Sequence, residues 1–307
     1  MRQRIKDTRD DYSLLSVTLR MLLNKACVIS FFYIFLMMIG LNTEIQAQQQ
    51  VIHLWPGTVP GEVDAKQAAV VTADSSGGVK RLTDITDPVL EVFPAPAKNN
   101  TGVGVIVCPG GAYNILAVDL EGYEIAHWLN KLGYTAFVLQ YRVPKKREGA
   151  LQDAQRAIRI VRSRAAEWGL QPENVGMMGF SAGGSLTARA ATGYNVHTYT
   201  PIDSADMLSA RPAFGVLIYP AYLDRAPERR LTPELKPDRY TPPMFLFATA
   251  DDPYGNSALV MAGALRDANV PAELHFYATG GHGYGLRPGN TAAEAWPVLL
   301  AEWLRRR

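Results

Sequence analysis

The chain has 307 residues, 48% hydrophobic and 20% charged, with a formal net charge of +2. This is an ordinary globular composition, without the basic or acidic excess that marks proteins built for nucleic acid or strongly charged partners. Two cysteines, Cys27 and Cys108, are too few for a disulfide framework.

At the N-terminus an apolar run, Ala26 to Leu41, follows Lys25 and ends before Asn42. It is shorter than the roughly 20 residues of a membrane span. Basic residues precede it, and Ile45-Gln46-Ala47 places a small residue at a signal-peptidase position. Residues 1–47 are therefore expected to be a cleaved signal peptide, with the mature chain starting near Gln48 and the product secreted or periplasmic. Met21-Leu22-Leu23-Asn24-Lys25 makes a more ordinary start, so residues 1–20 are read as an upstream extension. Cleavage removes Cys27 and leaves Cys108 as a buried packing residue at the end of an apolar strand. Residues 48–307 are long enough for one hydrophobic core without staples and are expected to form a single domain.

Within residues 48–307, strand-like and helix-like segments alternate, which predicts an α/β fold with a mostly parallel central sheet flanked by helices. His53 lies ahead of the first predicted strand, Val89 to Phe93. Gly104 to Cys108 is a second strand, closed by Pro109-Gly110-Gly111. A helix is expected from about Gly122 to Leu132 and a buried strand from Thr135 to Tyr141. Leu151 to Trp168 is the clearest helix, with Ala157, Ile158, Val161 and Ala165 on one stripe and Arg156, Arg159 and Arg162 off it. Gly169 stops it. Val175 to Phe180 is a strand that runs directly into Ser181-Ala182-Gly183-Gly184 and a further helix. Strands follow at Phe214 to Tyr219, Met244 to Ala248 and Glu273 to Tyr277, and helices at Ser257 to Ala268 and Ala292 to Arg305. Tyr222 to Pro243 reads as an excursion over the sheet. Arg305 to Arg307 read as the end of a solvated helix.

Gly179-Phe180-Ser181-Ala182-Gly183 matches G-x-S-x-G in the strand–turn–helix context that gives the motif its meaning. The turn raises the serine hydroxyl above the sheet and leaves the N–H of Ala182 free at a helix N-terminus. Serine at its own pKa is a poor nucleophile, so a base and an orienting acid are required. Of the five histidines, His127 is mid-helix, His197 is in a polar loop and His275 alternates within a strand. His282 alone follows the last strand, in the flexible Gly280-Gly281-His282-Gly283. The acid is expected after the preceding strand, where Asp251 and Asp252 compete. Counting from Pro242-Pro243 in the pattern PPxxLxHGxxD, common in hydrolases with this motif order, favours Asp252 over Asp251, and whichever is not the acid would cap a turn or the next helix. Oxyanion donors are expected from the N–H groups of Ala182 and of Gly111 and Ala112, in the Gly-Gly turn after Cys108. Adjacent Asp251 and Asp252 cannot flank a sugar, so a glycoside hydrolase is excluded. Tyr113, Asn114, Tyr222 and Tyr254 are candidates to line the pocket. No apolar slot for a bulky acyl group is apparent.

Further stretches are Cys108-Pro109-Gly110-Gly111-Ala112-Tyr113, Glu121-Gly122, Trp128-Leu129-Asn130, Tyr141-Arg142 and Leu151-Gln152-Asp153-Ala154-Gln155-Arg156-Ala157. With the serine motif, Ser209-Ala210-Arg211-Pro212 and Gly281-His282-Gly283, they span nearly all of residues 48–307. In these the chain resembles the carbohydrate-esterase-like α/β-hydrolases of bacterial polysaccharide degradation, and especially acetylxylan-esterase-type proteins. The resemblance implies an α/β-hydrolase fold and a Ser-His-Asp esterase without metal or cofactor, acting on O-acylated sugars. Carried over, Ser181 is the nucleophile, Asp252 the acid and His282 the base. Two departures stand out: Ser185 replaces a histidine frequent in relatives, and Pro109 replaces the first histidine of the oxyanion motif. A feruloyl esterase, a dipeptidyl-type peptidase and a non-catalytic carbohydrate-binding hydrolase fold are the rival readings. The expected partner is an oligosaccharide or small-molecule ester, not nucleic acid or membrane.

Overall fold

The structure, a computed structural model, describes residues 50–225 and 227–307. The expected signal peptide, residues 1–47, lies outside the described residues.

Eight strands form the central sheet: β1 (Val51–His53), β2 (Val89–Phe93), β3 (Gly104–Cys108), β4 (Thr135–Gln140), β5 (Val175–Phe180), β6 (Gly215–Ile218), β7 (Met244–Thr249) and β8 (Ala272–Tyr277). Their order is β1-β2-β4-β3-β5-β6-β7-β8. β2 runs antiparallel to β1 and to β4, and every other neighbouring pair is parallel. Parallel strands at the centre of a sheet are covered on both faces, so they read as continuous apolar runs rather than alternating ones. Every residue of β3 and β5 is accordingly buried. His53 belongs to β1 and so lies inside the sheet domain, a correction to its expected place ahead of it.

The helices are α1 (Glu124–Lys131), α2 (Arg147–Ser163), α3 (Ala182–Thr192), α4 (Asn256–Asp267) and α5 (Thr291–Arg305). α1 starts later than expected because residues 119–123 form a π turn, in which the Tyr123 and Glu124 N–H groups reach back to the carbonyls of Val118 and Asp119. α2 starts earlier than Leu151 and gives way to a short 3₁₀ turn, Ala165–Trp168, that ends at left-handed Gly169 (φ 62°).

The apolar stripe of α2 is buried as expected, but so are Arg156 and Arg159, at 3% and 5% exposure. Residues 199–208 cover that side. Arg156 pairs with Asp203 and Asp206, and Arg159 donates to the Tyr199 hydroxyl and the Leu208 carbonyl. Arg142 and Asp153 form a second buried pair (2.9 Å), and Trp55 donates its indole N–H to the same carboxylate. Charges so far from water persist only when paired and hydrogen-bonded. The C-terminal helix is solvated on one face only: Arg305 to Arg307 are exposed as expected, while α5 buries Trp296, Leu300, Trp303 and Leu304, and Arg307 stacks 4.2 Å over the Trp303 ring. Residues 222–243 contain a hairpin, Asp224–Arg225 with Arg230–Leu231. A small antiparallel sheet of Val70–Val71, Arg81–Thr83 and Leu116–Ala117, which the sequence did not suggest, brings residues 76–81 towards the C-terminal edge of the main sheet. Cys108 is free and buried, and burial pushes its thiol up to about 12, so it acts as packing.

Candidate active site

Ser181 stands between β5 and α3 with φ 51° and ψ −116°, a strained conformation for a residue with a Cβ. The turn is forced by close packing. A Cβ added at Gly179 would lie 2.0 Å from the Gly183 carbonyl oxygen, and one at Gly183 would lie 2.0 Å from that of Cys108. Only glycines let β3, β5 and α3 approach so closely. Ala182 opens α3, where the first N–H groups have no partner within the helix.

His282 comes from the loop after β8. Its ring Nε2 lies 2.7 Å from Ser181 Oγ, and its Nδ1 lies 2.8 Å from Asp252 Oδ2. An ionised carboxylate only accepts hydrogen bonds, so Nδ1 carries the proton and Nε2 is free to accept from the serine hydroxyl. Asp252 is buried (6% exposed), and its other oxygen accepts the Tyr254 N–H at 2.8 Å. The structure thus joins Asp252, not Asp251, to the histidine. Asp251 caps the histidine loop, accepting the N–H groups of Gly280 (3.1 Å) and Gly281 (2.8 Å), and these donors hold its carboxyl below the usual carboxylate range. Thr249 Oγ1 donates to the Gly281 carbonyl and Asn290 Nδ2 to that of Gly280, completing the loop's anchorage.

Three consecutive residues after β3, Gly111, Ala112 and Tyr113, have positive φ (136°, 57° and 57°). The Gly111 carbonyl turns back to accept the N–H groups of Asn114 and Ile115. Because a trans peptide points its N–H opposite its carbonyl, the Ala112 N–H faces away from that turn. Gly111 and Ala112 line the same cavity as Ser181 and His282, of about 850 Å³. Val79, Ile115 and Leu120 give it the apolar wall that the sequence did not reveal. Arg287 ties that wall together, donating to the carbonyls of Gly77 and Gly78 and to Glu124. Asn114, Tyr222 and Tyr254 line the cavity, whereas Tyr113 is buried behind it. Ser185 is buried within α3 and does not reach the cavity lining.

Two residues at the site carried no expected role. Glu121 is 3% exposed and lines the cavity, and Tyr219, fully buried, packs its ring 5.1 Å from that of His282. Glu121-Gly122 was visible as a motif, but nothing local says where the carboxylate points. Among the described residues no group of three or more His, Cys, Asp or Glu side chains is placed to hold a metal ion.

Comparison with known proteins agrees with this architecture. The BD-FAE family model matches residues 90–212. An acetylxylan esterase from Xylanibacter ruminicola is 30% identical over 234 residues, which are 68% of this chain and 46% of that protein. The chain therefore spans about half the length of this curated relative. The crystal structure of an acetyl ester-xyloside bifunctional hydrolase from Caldicellulosiruptor lactoaceticus superposes with a TM-score of 0.69 at 28% identity, covering 84% of this chain and 96% of that one. MGS-M1, an α/β hydrolase from a deep-sea metagenome library, superposes with a TM-score of 0.57 at 26% identity, covering 78% and 97%. With its sheet order, in which β2 alone runs against its neighbours, and with these likenesses, the chain belongs to the BD-FAE family of α/β-hydrolase esterases.

Proposed function

We propose that this protein is a serine carboxylic-ester hydrolase that removes acyl groups, acetyl foremost, from O-acylated sugars. The observation that carries the reading is the His282 imidazole standing between Ser181 Oγ and Asp252 Oδ2 at 2.7 and 2.8 Å. Ser181 Oγ attacks the acyl carbon while its proton passes to His282 Nε2, and Asp252 stabilises the imidazolium that forms. The N–H groups of Ala182, Gly111 and Ala112 receive the oxyanion. As the intermediate collapses, the sugar oxygen leaves with the proton from Nε2. Water then gives a proton back to Nε2 and attacks the acyl-enzyme, and Ser181 departs reprotonated as the carboxylic acid is released.

Acetylated sugar is favoured by the likeness to an acetylxylan esterase and an acetyl ester-xyloside hydrolase. Small residues at the oxyanion end, Ala112 and Ala182, suit a short acyl group. The cavity is larger than an acetyl group needs, which leaves room for a sugar unit. Its apolar wall also accommodates a bulkier acyl group, so a feruloyl esterase is the second reading. Activity after export is proposed on the leader pattern of residues 1–47.

Ser181→Ala is expected to lower p-nitrophenyl acetate turnover by a factor on the order of 10⁶ while leaving the fold intact. Retention of half the activity contradicts the assignment. Wild-type enzyme incubated with acetylated xylan and feruloylated arabinoxylan is expected to release acetate well ahead of ferulate, and the reverse order selects the second reading. N-terminal sequencing of the exported protein is expected to read from near Gln48. A mature protein beginning upstream of Met21 overturns the export proposal.

A further inference from the structure

Beyond the three residues of the proposed mechanism, one buried carboxylate joins the two loops on which that mechanism depends. Glu121 sits in the π turn of residues 119–123, an arrangement found mostly as single turns and frequently at functional sites. Its Oε2 accepts the Gly110 N–H at 2.7 Å, and its Oε1 accepts the Tyr219 hydroxyl at 2.9 Å. The Tyr219 oxygen in turn accepts the N–H of Gly285, three residues beyond His282, at 3.0 Å. Trp296 closes the chain by donating to the Gly285 carbonyl at 2.9 Å.

The first of these bonds acts on a particular peptide. The Pro109 carbonyl and the Gly110 N–H belong to one planar unit, and the Tyr141 hydroxyl donates to that carbonyl at 2.6 Å. The unit is thus gripped at both ends, by Tyr141 and by Glu121. The Gly110 carbonyl is taken by the Ala117 N–H, so the next peptide, which carries the Gly111 N–H, is held by a bond of its own directly beside the first. The fit leaves no space for an alternative side chain: a Cβ on Gly110 would lie 2.6 Å from Glu121 Oε2. Burial pushes the Glu121 carboxyl up, opposed by the Tyr219 and Gly110 hydrogen bonds and by nearby His282. A carboxyl so placed is costly to keep, and its partners lie on the two loops that must hold register.

We propose that Glu121, acting with Tyr219, is a positioning residue that holds the oxyanion-binding loop and the His282 loop in one register. The inference rests on the Ser181 reading. Glu121→Gln preserves shape but cannot accept from both Gly110 and Tyr219, and Tyr219→Phe removes the bridge while keeping the ring against His282. Each variant is expected to lower kcat about 10- to 100-fold, below the 10²- to 10³-fold loss of an oxyanion donor removed outright, with KM within about twofold. Phenylboronic acid, whose tetrahedral adduct on Ser181 occupies the oxyanion position, should lose affinity in parallel with kcat. The double variant should fall no further than about the worse single one, because both break one chain. If Glu121→Gln does not fold, Tyr219→Phe tests the same bridge. Wild-type kcat in the folded variants, or a loss confined to melting temperature, overturns the proposal. So does a rise in KM with phenylboronic acid affinity unchanged. An active Ser181→Ala variant removes the proposed function itself; an inactive one beside fully active Glu121→Gln and Tyr219→Phe removes only this inference.

Discussion

The serine turn and the histidine loop are both rich in glycine, but for different physical reasons. At Gly179 and Gly183 an added Cβ would meet backbone oxygen at 2.0 Å, so packing of β3, β5 and α3 leaves the turn one shape. At Gly281 and Gly283 an added Cβ would meet nothing within 4 Å, and φ is +65° and +74°. Gly280 apart, which packs against Ala292 and Thr249, that loop is set by backbone freedom, by hydrogen bonds donated by Thr249 and Asn290, and by N–H groups accepted by Asp251. The nucleophile is placed by sterics and its base by a polar scaffold. A sterically set element answers to volume changes, and a hydrogen-bonded one to the loss of acceptors.

The largest effect expected within this comparison falls on the link between the two elements. Asp252→Asn should lower turnover by about 10⁴, since an amide no longer selects the tautomer with a proton on Nδ1. A variant within tenfold of wild type would break the assignment of Asp252. Gly183→Ala comes next, as a loss of stability of about 3 kcal/mol or more, because backbone must move to admit the methyl group. Denaturant unfolding checks it, and wild-type stability would show that the elbow is looser than its contacts. Gly281→Ala should cost only about 1 kcal/mol, the penalty of a left-handed conformation in open space, with turnover reduced less than tenfold. A loss as large as that of Gly183→Ala would erase the distinction between the two kinds of glycine. Asp251→Asn should be the mildest, also under tenfold in kcat, since its amide oxygen still accepts one of the two loop N–H groups. Equal effects at Asp251 and Asp252 would mean that the first carries more than a cap.

By itself, the sequence determined the α/β class, the seven central-sheet strands from Val89 onward to within one or two residues, and the strand–turn–helix setting of Ser181. These are local: buried parallel strands announce themselves as short apolar runs between turn residues, and the elbow needs its glycines within five consecutive positions. The positions of His282 and the Asp251-Asp252 pair were also legible, because chain order places each after a strand. Tertiary structure alone decided the rest. Which of two adjacent carboxylates meets His282 depends on how the loops after β7 and β8 turn towards one another, 30 residues apart in sequence. The burial of Arg156 and Arg159 depends on residues 199–208 folding back over α2, which a helical period cannot register. The short first strand, with His53, owes its place to pairing with β2 rather than to an apolar run of its own. Glu121 gains its partners from 11 residues before it and 98 after it, and no composition rule predicts a buried carboxylate that depends on such distant hydrogen bonds.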